Sequence, residues 1–299
     1  MCGRFADYFE TDELAEAFAV ERVVDAPGPS YNVAPTARIC LVRDAVPPSS
    51  GAPVRELRGA RWGLVPSWSK DPLSGSRLIN ARAETVTVKP SFRAAARSRR
   101  ALIPAAGYFE WQTDAAGAKT PFFLHPPTDQ PIAMAGLYEW WWPPGGGSAG
   151  PGGVGGSGGS GGVGGSGGSG WAPGDRSAAL TNPVGAPGGR SAALTNPGWA
   201  PADRSAALAV PGPAARVDAL LSATILTRAA TDSTGQIHDR MPLIVPREAW
   251  ADWLDPGLSD PAQIQELIAS LPDPELIPRR VSRAVGSVKN NGPHLVAPV

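Results

Sequence analysis

Short runs in which apolar residues alternate with polar ones, or follow one another for four to eight positions, recur along most of this chain. Runs of this length that are rich in β-branched and aromatic residues and bounded by turn residues predict β-strands. The predicted strands are residues 39–43, 54–62, 101–104, 122–125, 132–138, 223–227 and 243–245. The pattern therefore predicts a β-rich core.

Helical periodicity is confined to a few short segments. In TDELAEAFA, Thr11 is a candidate N-cap, acidic residues fill the first turn, and Leu14 and Phe18 are four residues apart on one face. Pro246 and Pro261 each precede an apolar periodic segment, and proline favours the first position of a helix. These features predict short helices around the strands.

The segment PSFRAAARSRR predicts one more helix, with Ser91 as its candidate cap. Arg93, Arg97 and Arg100 recur at i, i+4 and i+7, a spacing that places them on one solvated face. Together, the strands and helices predict an α+β fold.

A low-complexity insert separates the two stretches that carry these patterns. Residues 145–170 contain 17 glycines in 26 positions, a composition that cannot bury enough surface to offset the entropy of ordering. Imperfect copies of RSAALTNP follow, together with Trp171 and Trp199, which we interpret as duplicated linker. We predict a disordered insert at 143–216 within one domain formed by 2–142 and 217–299.

Composition excludes several functional classes. Lysine plus arginine and aspartate plus glutamate number 27 each, so an anionic partner must be bound by a local patch. Neither a membrane span nor a signal peptide is evident, which favours the cytoplasm. The histidines and cysteines lack metal-ligand spacing, so we predict no metal, and Cys40, within ICLVR, is interpreted as a packing residue.

Cys2 is the first residue whose position suggests chemistry. Removal of Met1 would leave Cys2 with a thiol and a free α-amine. Such a pair can capture an aldehyde, first as a Schiff base and then as a five-membered thiazolidine ring. A frayed terminus is the competing interpretation.

Three further polar residues lie in segments whose sequences are not typical of core packing. Glu110 stands between aromatic residues in GYFEW, where burial would raise its pKa into the range of a general acid or base. His238, in IHDR, is flanked by Asp239 and Arg240 in a polar turn. Asn80 follows two apolar residues and could orient a substrate oxygen. A structural glutamate and a satisfied surface histidine are the alternatives.

Seven segments of the chain resemble, in this order, the motifs of the SOS-response-associated peptidase (SRAP) family: MCGRF, YNVAPT, WGLVPSW, INARAET, GYFEW, IHDRMP and VSRAVGSVKN. The resemblance covers the chain except the insert. It implies a single SRAP-like domain with an antiparallel, barrel-like core, no cofactor, and a monomer located in the cytoplasm and associated with the nucleoid on damaged DNA. It also implies covalent crosslinking of a processed N-terminal cysteine to abasic sites in single-stranded DNA.

The resemblance further implies roles for individual residues. Cys2 would be the nucleophile, Glu110 the acid/base, His238 a proton carrier, and Asn80 the residue that holds the lesion. The residues implied to contact DNA are Arg4, Trp68, Arg82, Trp111, Thr227 and Arg240.

Three functions remain open from sequence. The first is the abasic-site sensor, with associated lyase and autoproteolytic activity. The second is a cysteine peptidase or amidase of the N-terminal-nucleophile type, in which Cys2 attacks an amide. The third is a non-catalytic nucleic-acid-binding module in which the arginines and tryptophans matter and Cys2 does not.

Overall fold

The computed structural model describes residues 3–46, 51–144 and 219–299, which form a β-rich α+β fold. The predicted insert, apart from its first two residues, and Cys2 lie outside the described residues. The strands are β1 (Phe5–Asp7), β2 (Arg22–Asp25), β3 (Ser30–Val33), β4 (Arg38–Ala45), β5 (Val54–Trp62), β6 (Asn80–Arg82), β7 (Arg100–Ala105), β8 (Gly107–Thr113), β9 (Lys119–His125), β10 (Ile132–Trp141), β11 (Leu220–Ala229), β12 (Arg240–Pro242) and β13 (Ile277–Arg280). The α-helices are α1 (Thr11–Ala17), α2 (Arg93–Ser98), α3 (Asp232–Gly235), α4 (Trp250–Leu254) and α5 (Pro261–Ser270). No helix among the described residues is long and apolar enough to cross a membrane.

The strands form two sheets. One has the order β13-β9-β8-β1-β3, and the other runs β12-β11-β10-β7-β4-β5-β2, with β6 paired to β11. Strand β5 also pairs in parallel with β11, at Arg61↔Ser222 and Trp62↔Ala223, so that β5, β4, β7, β10 and β11 form a nearly closed ring. The predicted barrel-like core is thereby confirmed.

Strands β7, β10 and β11 of the ring are buried on both faces over most of their length, which explains their largely apolar sequences. In β4, Ile39 and Leu41 point into the cluster inside the ring, whereas Cys40 and Val42 pack on the opposite side, towards the helices. This alternation follows from the two-residue period of a strand. Burial also raises the pKa of the Cys40 thiol, in agreement with its interpretation as a packing residue.

Strands β10 and β11 connect the two parts of the chain that the insert separates. They pair antiparallel from Gly136↔Ile225 to Trp141↔Leu220. Residues before and after the undescribed segment therefore belong to the same sheet.

All but one of the predicted strands are confirmed. The exception is 243–245, because the strand in this region is β12, which ends at Pro242. The Leu243 amide donates to Leu226 of β11, whereas the Leu243 carbonyl accepts from Ala135 of β10. The chain thus passes from one strand to its neighbour at Leu243 instead of continuing along either.

The predicted helices are confirmed with different ends. Helix α1 is capped by Glu10, which forms a capping box with Glu13, and not by Thr11. Helix α2 begins after Phe92 without a side-chain cap, so the assignment of Ser91 as its cap was wrong.

Arg100 also departs from prediction, because helix α2 ends at Ser98 and Arg100 begins β7. Its side chain is buried and donates to the carbonyls of Trp253 and Ala96, each at 2.7 Å, and of Asp255. It also donates to the Arg97 carbonyl at 3.2 Å, and the five donors of a guanidinium explain how one arginine can bind four carbonyl groups here. The solvated face assigned to Arg100 is therefore wrong.

Asp7, at the end of β1, is a buried carboxyl group. Burial raises its pKa to about 7, while a hydrogen bond with the Cys40 side chain opposes the shift. In the unfolded chain, Asp7 ionises at an ordinary aspartate pKa. The contribution of Asp7 to the free energy of unfolding is therefore complete below about pH 4 and is lost as the pH rises through about 7.

We expect Asp7→Asn to remove most of this pH dependence. In the wild type, the free energy of unfolding should fall by about 1.4 kcal/mol for each pH unit within that window. Urea unfolding of both proteins at pH 5, 6, 7 and 8 measures the effect. Parallel curves for the two proteins would contradict the assignment to Asp7.

Glu56 is a second buried carboxylate, fully enclosed on β5. It pairs with Arg22 of β2 and with Arg43 of β4, whose Nη2 lies 2.9 Å from Oε2. Arg58 lies 3.5 Å from the same oxygen and stacks over Trp140. This ion cluster fastens three neighbouring strands to one another.

Candidate functional site

The described chain begins on the strand next to Glu110. Strand β1 pairs antiparallel with β8 at Phe5↔Tyr108 and Ala6↔Gly107, and the Phe109 amide donates to the Arg4 carbonyl at 2.8 Å. Antiparallel pairing carries the residues before Phe5 along the part of β8 that follows Tyr108. The segment that leads to Cys2 therefore starts beside the strand of Glu110.

Glu110 is buried in the middle of β8, opposite Phe122 of β9. Burial raises its pKa, and an electrostatic interaction with His238 acts in the opposite direction. The direction of this shift agrees with the sequence-based prediction. A buried carboxyl group with a raised pKa close to a histidine is suited to a role in proton transfer.

His238 lies in the turn between α3 and β12. Its Nδ1 accepts a hydrogen bond from the Arg240 backbone amide at 3.0 Å, and Oδ1 of Asp239 lies 2.9 Å from the same nitrogen. The side chain of Gln112, two residues beyond Glu110, donates to the Gln236 carbonyl at 3.1 Å. This contact fastens the end of β8 to the turn that carries His238.

Asn80 and Arg82 begin and end β6, which runs parallel to β11. The register pairs Asn80 with Ile225 and Arg82 with Thr227. Asn80 is half-buried, Arg82 is exposed and Thr227 is buried. Because β12 pairs with the other edge of β11, β11 lies between the strand of Asn80 and the strand that follows His238.

Arg240 is held by protein groups. Its guanidinium binds Glu84 in a bidentate pair, Nη1–Oε1 at 2.6 Å and Nη2–Oε2 at 3.0 Å, and Nη2 also donates to the Thr227 carbonyl. The predicted phosphate contact of Arg240 would have to share or replace these partners.

Arg4 connects its own motif to two other motifs through hydrogen bonds. Its Nη1 donates to Oδ1 of Asn32 at 2.7 Å and to the Val285 carbonyl at 2.8 Å. Asn32 belongs to YNVAPT and Val285 to VSRAVGSVKN. Arg4 thus fixes the start of the chain to its C-terminal region, close to the strand of Glu110.

The two predicted stacking tryptophans differ in exposure. Trp68 is 67% exposed in a turn fastened to the end of β10, where the Trp141 indole donates to the Ser69 carbonyl at 2.7 Å. Trp111 is half-buried and packs on the cluster around Phe109. Trp68 therefore presents the larger free ring surface.

The chain matches a known family over most of its length. Residues 1–150 and 201–288 match the family described as SOS response associated peptidase (SRAP). The chain belongs to the SRAP family.

This SRAP chain is similar over nearly its whole length to proteins that are named abasic site processing proteins. It is 30% identical to the abasic site processing protein YoqW of Bacillus subtilis (strain 168), over 99% of both chains. It is 27% identical to the abasic site processing protein YedK of Escherichia coli (strain K12), over 100% of both chains. The family resemblance inferred from the motifs is thereby confirmed.

Solved structures show the same fold. The SRAP chain is similar to the crystal structure of a Bacteroides thetaiotaomicron protein, with a TM-score of 0.63, 19% identity and coverage of 100% of both chains. A Bordetella bronchiseptica protein superposes with a TM-score of 0.56 over 94% of the SRAP chain and 100% of the other.

Two polar residues of the site were not singled out from sequence. Glu84 lies inside INARAET, four residues after Asn80, and Gln112 follows Trp111 in GYFEWQ. Their positions within these motifs could have indicated that they belong to the site. Their function could not be inferred, because their partners Arg240 and Gln236 lie more than a hundred residues away.

Proposed function

We propose that this SRAP chain is an abasic-site sensor that crosslinks covalently to abasic sites in single-stranded DNA through Cys2, after removal of Met1. The relatives YoqW and YedK are named abasic site processing proteins and span the same length. The observation that carries the proposal is the environment of Glu110. Glu110 is a buried carboxyl group with a raised pKa, it interacts electrostatically with His238, and it lies on β8, the strand that pairs with β1.

The proposed reaction has two bond-forming steps. The α-amine of Cys2 attacks the C1′ aldehyde of the ring-opened sugar, and loss of water gives a Schiff base. The thiolate then adds to the imine carbon, and the imine nitrogen takes up a proton, which closes the thiazolidine. Both steps move protons, and in this proposal Glu110 and His238 would carry them.

Asn80 would orient the opened sugar, because its strand lies next to Thr227 on β11. Arg82 is exposed at the end of the same strand and suited to a phosphate oxygen. Trp68 would stack on a neighbouring base, a contact that accepts any sequence. Arg4, Trp111, Thr227 and Arg240 complete the proposed DNA-contacting set, with Arg4 and Arg240 also holding the protein around the site.

We expect Cys2→Ala to abolish a heat-stable adduct with a single-stranded oligonucleotide that contains one abasic site. Denaturing gel electrophoresis and intact mass of the Met1-free protein measure the adduct. Cys40→Ala is the matched control, because Cys40 is the chain's other thiol and lies buried on β4. The proposal fails if Cys2→Ala still forms the adduct, or if the correctly processed wild type does not.

A cysteine peptidase of the N-terminal-nucleophile type is the second candidate, favoured by the family description as a peptidase. In that case Cys2 would attack an amide carbonyl with its own α-amine as base. Autoproteolytic removal of a leader would satisfy this chemistry with no external substrate. Turnover of unrelated peptides distinguishes the two functions, and we expect it to be negligible.

A further inference from the structure

The ion pair between Glu84 and Arg240 connects two strands of the site across a third. Glu84 lies in the 3₁₀ turn directly after β6, Arg240 begins β12, and the guanidinium also donates to Thr227 of the intervening β11. The Arg240 side chain is only 14% exposed, whereas that of Glu84 is 51% exposed. A bidentate pair of this kind restrains orientation as well as distance.

Glu84 is ionised under neutral conditions. The hydrogen bond from Arg240 is the largest cause that lowers the pKa of Glu84 below its usual value. The carboxylate thus remains available to hold the guanidinium.

Arg240, whose side chain binds Glu84, also forms a hydrogen bond with His238 through its backbone. The backbone amide of Arg240 donates to Nδ1 of His238 at 3.0 Å. An acceptor Nδ1 in a neutral imidazole requires the proton to be on Nε2. A hydrogen bond from the Arg240 amide to Nδ1 therefore favours the tautomer that carries the proton on Nε2.

Asp239 offers Nδ1 a competing partner. Its Oδ1 lies 2.9 Å from Nδ1, and its side chain is 85% exposed. One nitrogen cannot serve both neighbours in the neutral ring, because the amide needs a lone pair and the carboxylate needs an N–H. If the Arg240 amide moves away, a contact with Asp239 favours the proton on Nδ1 and removes it from Nε2.

We infer that Glu84 is a positioning residue for His238: by clamping Arg240 it keeps the Arg240 amide on Nδ1 and Nε2–H directed to the reacting sugar. This inference rests on the proposed crosslinking function. It assigns Glu84 no contact with DNA and no proton transfer of its own.

The kinetic test uses Glu84→Gln, which keeps the side-chain shape but loses the charge. We expect the rate of adduct formation with the abasic oligonucleotide to fall about 10-fold, a fraction of what loss of an acid/base group costs. Affinity for an intact oligonucleotide of the same length should change much less than the rate, even though the variant weakens the pair that holds Arg240. Asp273→Asn is the matched control, because it removes an ion pair to Arg228, the residue next to Thr227 on β11.

Two readouts separate positioning from a general structural role. In His238→Ala, adding Glu84→Gln should cause no further loss of rate, since the two residues act as one unit. In ¹⁵N-histidine NMR of the free protein, His238 should show the Nε2–H tautomer in the wild type and a larger Nδ1–H fraction in Glu84→Gln. Additive rate losses, or an unchanged tautomer, would overturn the inference.

The remaining outcomes are also decisive. Tighter binding of intact DNA by Glu84→Gln with an unchanged adduct rate would mean that Glu84 shields Arg240 from phosphate, which overturns the inference. An unchanged adduct rate and affinity would likewise overturn it. Failure of the proposed function is distinct, because it appears as absence of adduct in the wild type, while the tautomer measurement needs no DNA.

Discussion

Adduct formation is expected to slow roughly 100- to 10,000-fold when Glu110 is replaced by glutamine, the range typical for loss of a positioned acid/base group. Glutamine keeps the size of the side chain but cannot exchange a proton. Because Glu110 is buried and its pKa is raised by burial, the substitution removes a group that is costly to ionise in place. We therefore expect the folded state to be as stable as the wild type, or more stable, at neutral pH.

The measurement is the single-turnover rate of adduct formation with an abasic oligonucleotide, together with urea unfolding. Glu139→Gln is the matched control. Glu139 is also buried and also has a pKa raised by burial, but it lies on β10 and pairs with Arg99 at 2.9 Å. A wild-type rate in Glu110→Gln, or an equal loss in Glu139→Gln, would contradict the role assigned to Glu110.

Glu56→Ala is expected to lower the free energy of unfolding by about 3–5 kcal/mol. The substitution leaves Arg43, whose side chain is only 13% exposed, without its carboxylate and close to Arg58. The repulsion is already evident in the native protein, since burial first and then the neighbouring Arg43 and Arg22 lower the pKa of Arg58. Removing the carboxylate that pairs with all three arginines should loosen the contacts among β2, β4 and β5.

Chemical denaturation at neutral pH measures this loss. Asp44→Ala is the control, because Asp44 pairs with Arg55 on the same two strands, at 2.8 Å, but nearer to solvent. We expect Asp44→Ala to cost less than about 1 kcal/mol. Equal losses of unfolding free energy in the two variants would contradict the prediction that Glu56 contributes more to stability than Asp44.

Six of the seven strands that have six or more residues could be predicted, because a strand of that length leaves a local signature in the sequence. The predicted strand at 54–62 coincides with β5, in which Leu57 packs on one face and Ala60 and Trp62 pack on the other. The six strands that are only three or four residues long were not predicted, because they are too short to show a period; they are β1, β2, β3, β6, β12 and β13. Strand β8, which has seven residues and carries Glu110, was also not predicted as a strand. Arg100 was misplaced for a related reason: its spacing continued that of a helix which ends two residues earlier.

The candidate site was predicted through its motifs and not through its geometry. MCGRF and VSRAVGSVKN can both be read from the chain, but only the structure shows that Arg4 donates to Val285, 281 positions away. Likewise, INARAET and IHDRMP meet through Glu84 and Arg240, which are 156 positions apart. The roles of Cys2, Asn80 and His238 in a reaction stay predictions for the experiments above to test.

The sequence by itself determined a β-rich α+β fold, a glycine-rich insert and the SRAP family, because periodicity, composition and short motifs are properties of neighbouring residues. Only the tertiary structure decided that β5 returns to β11, that Glu110 is buried beside His238, and that Arg240 is clamped by Glu84. These results depend on strand pairing between distant segments, and burial and charge partners exist only once that pairing has formed.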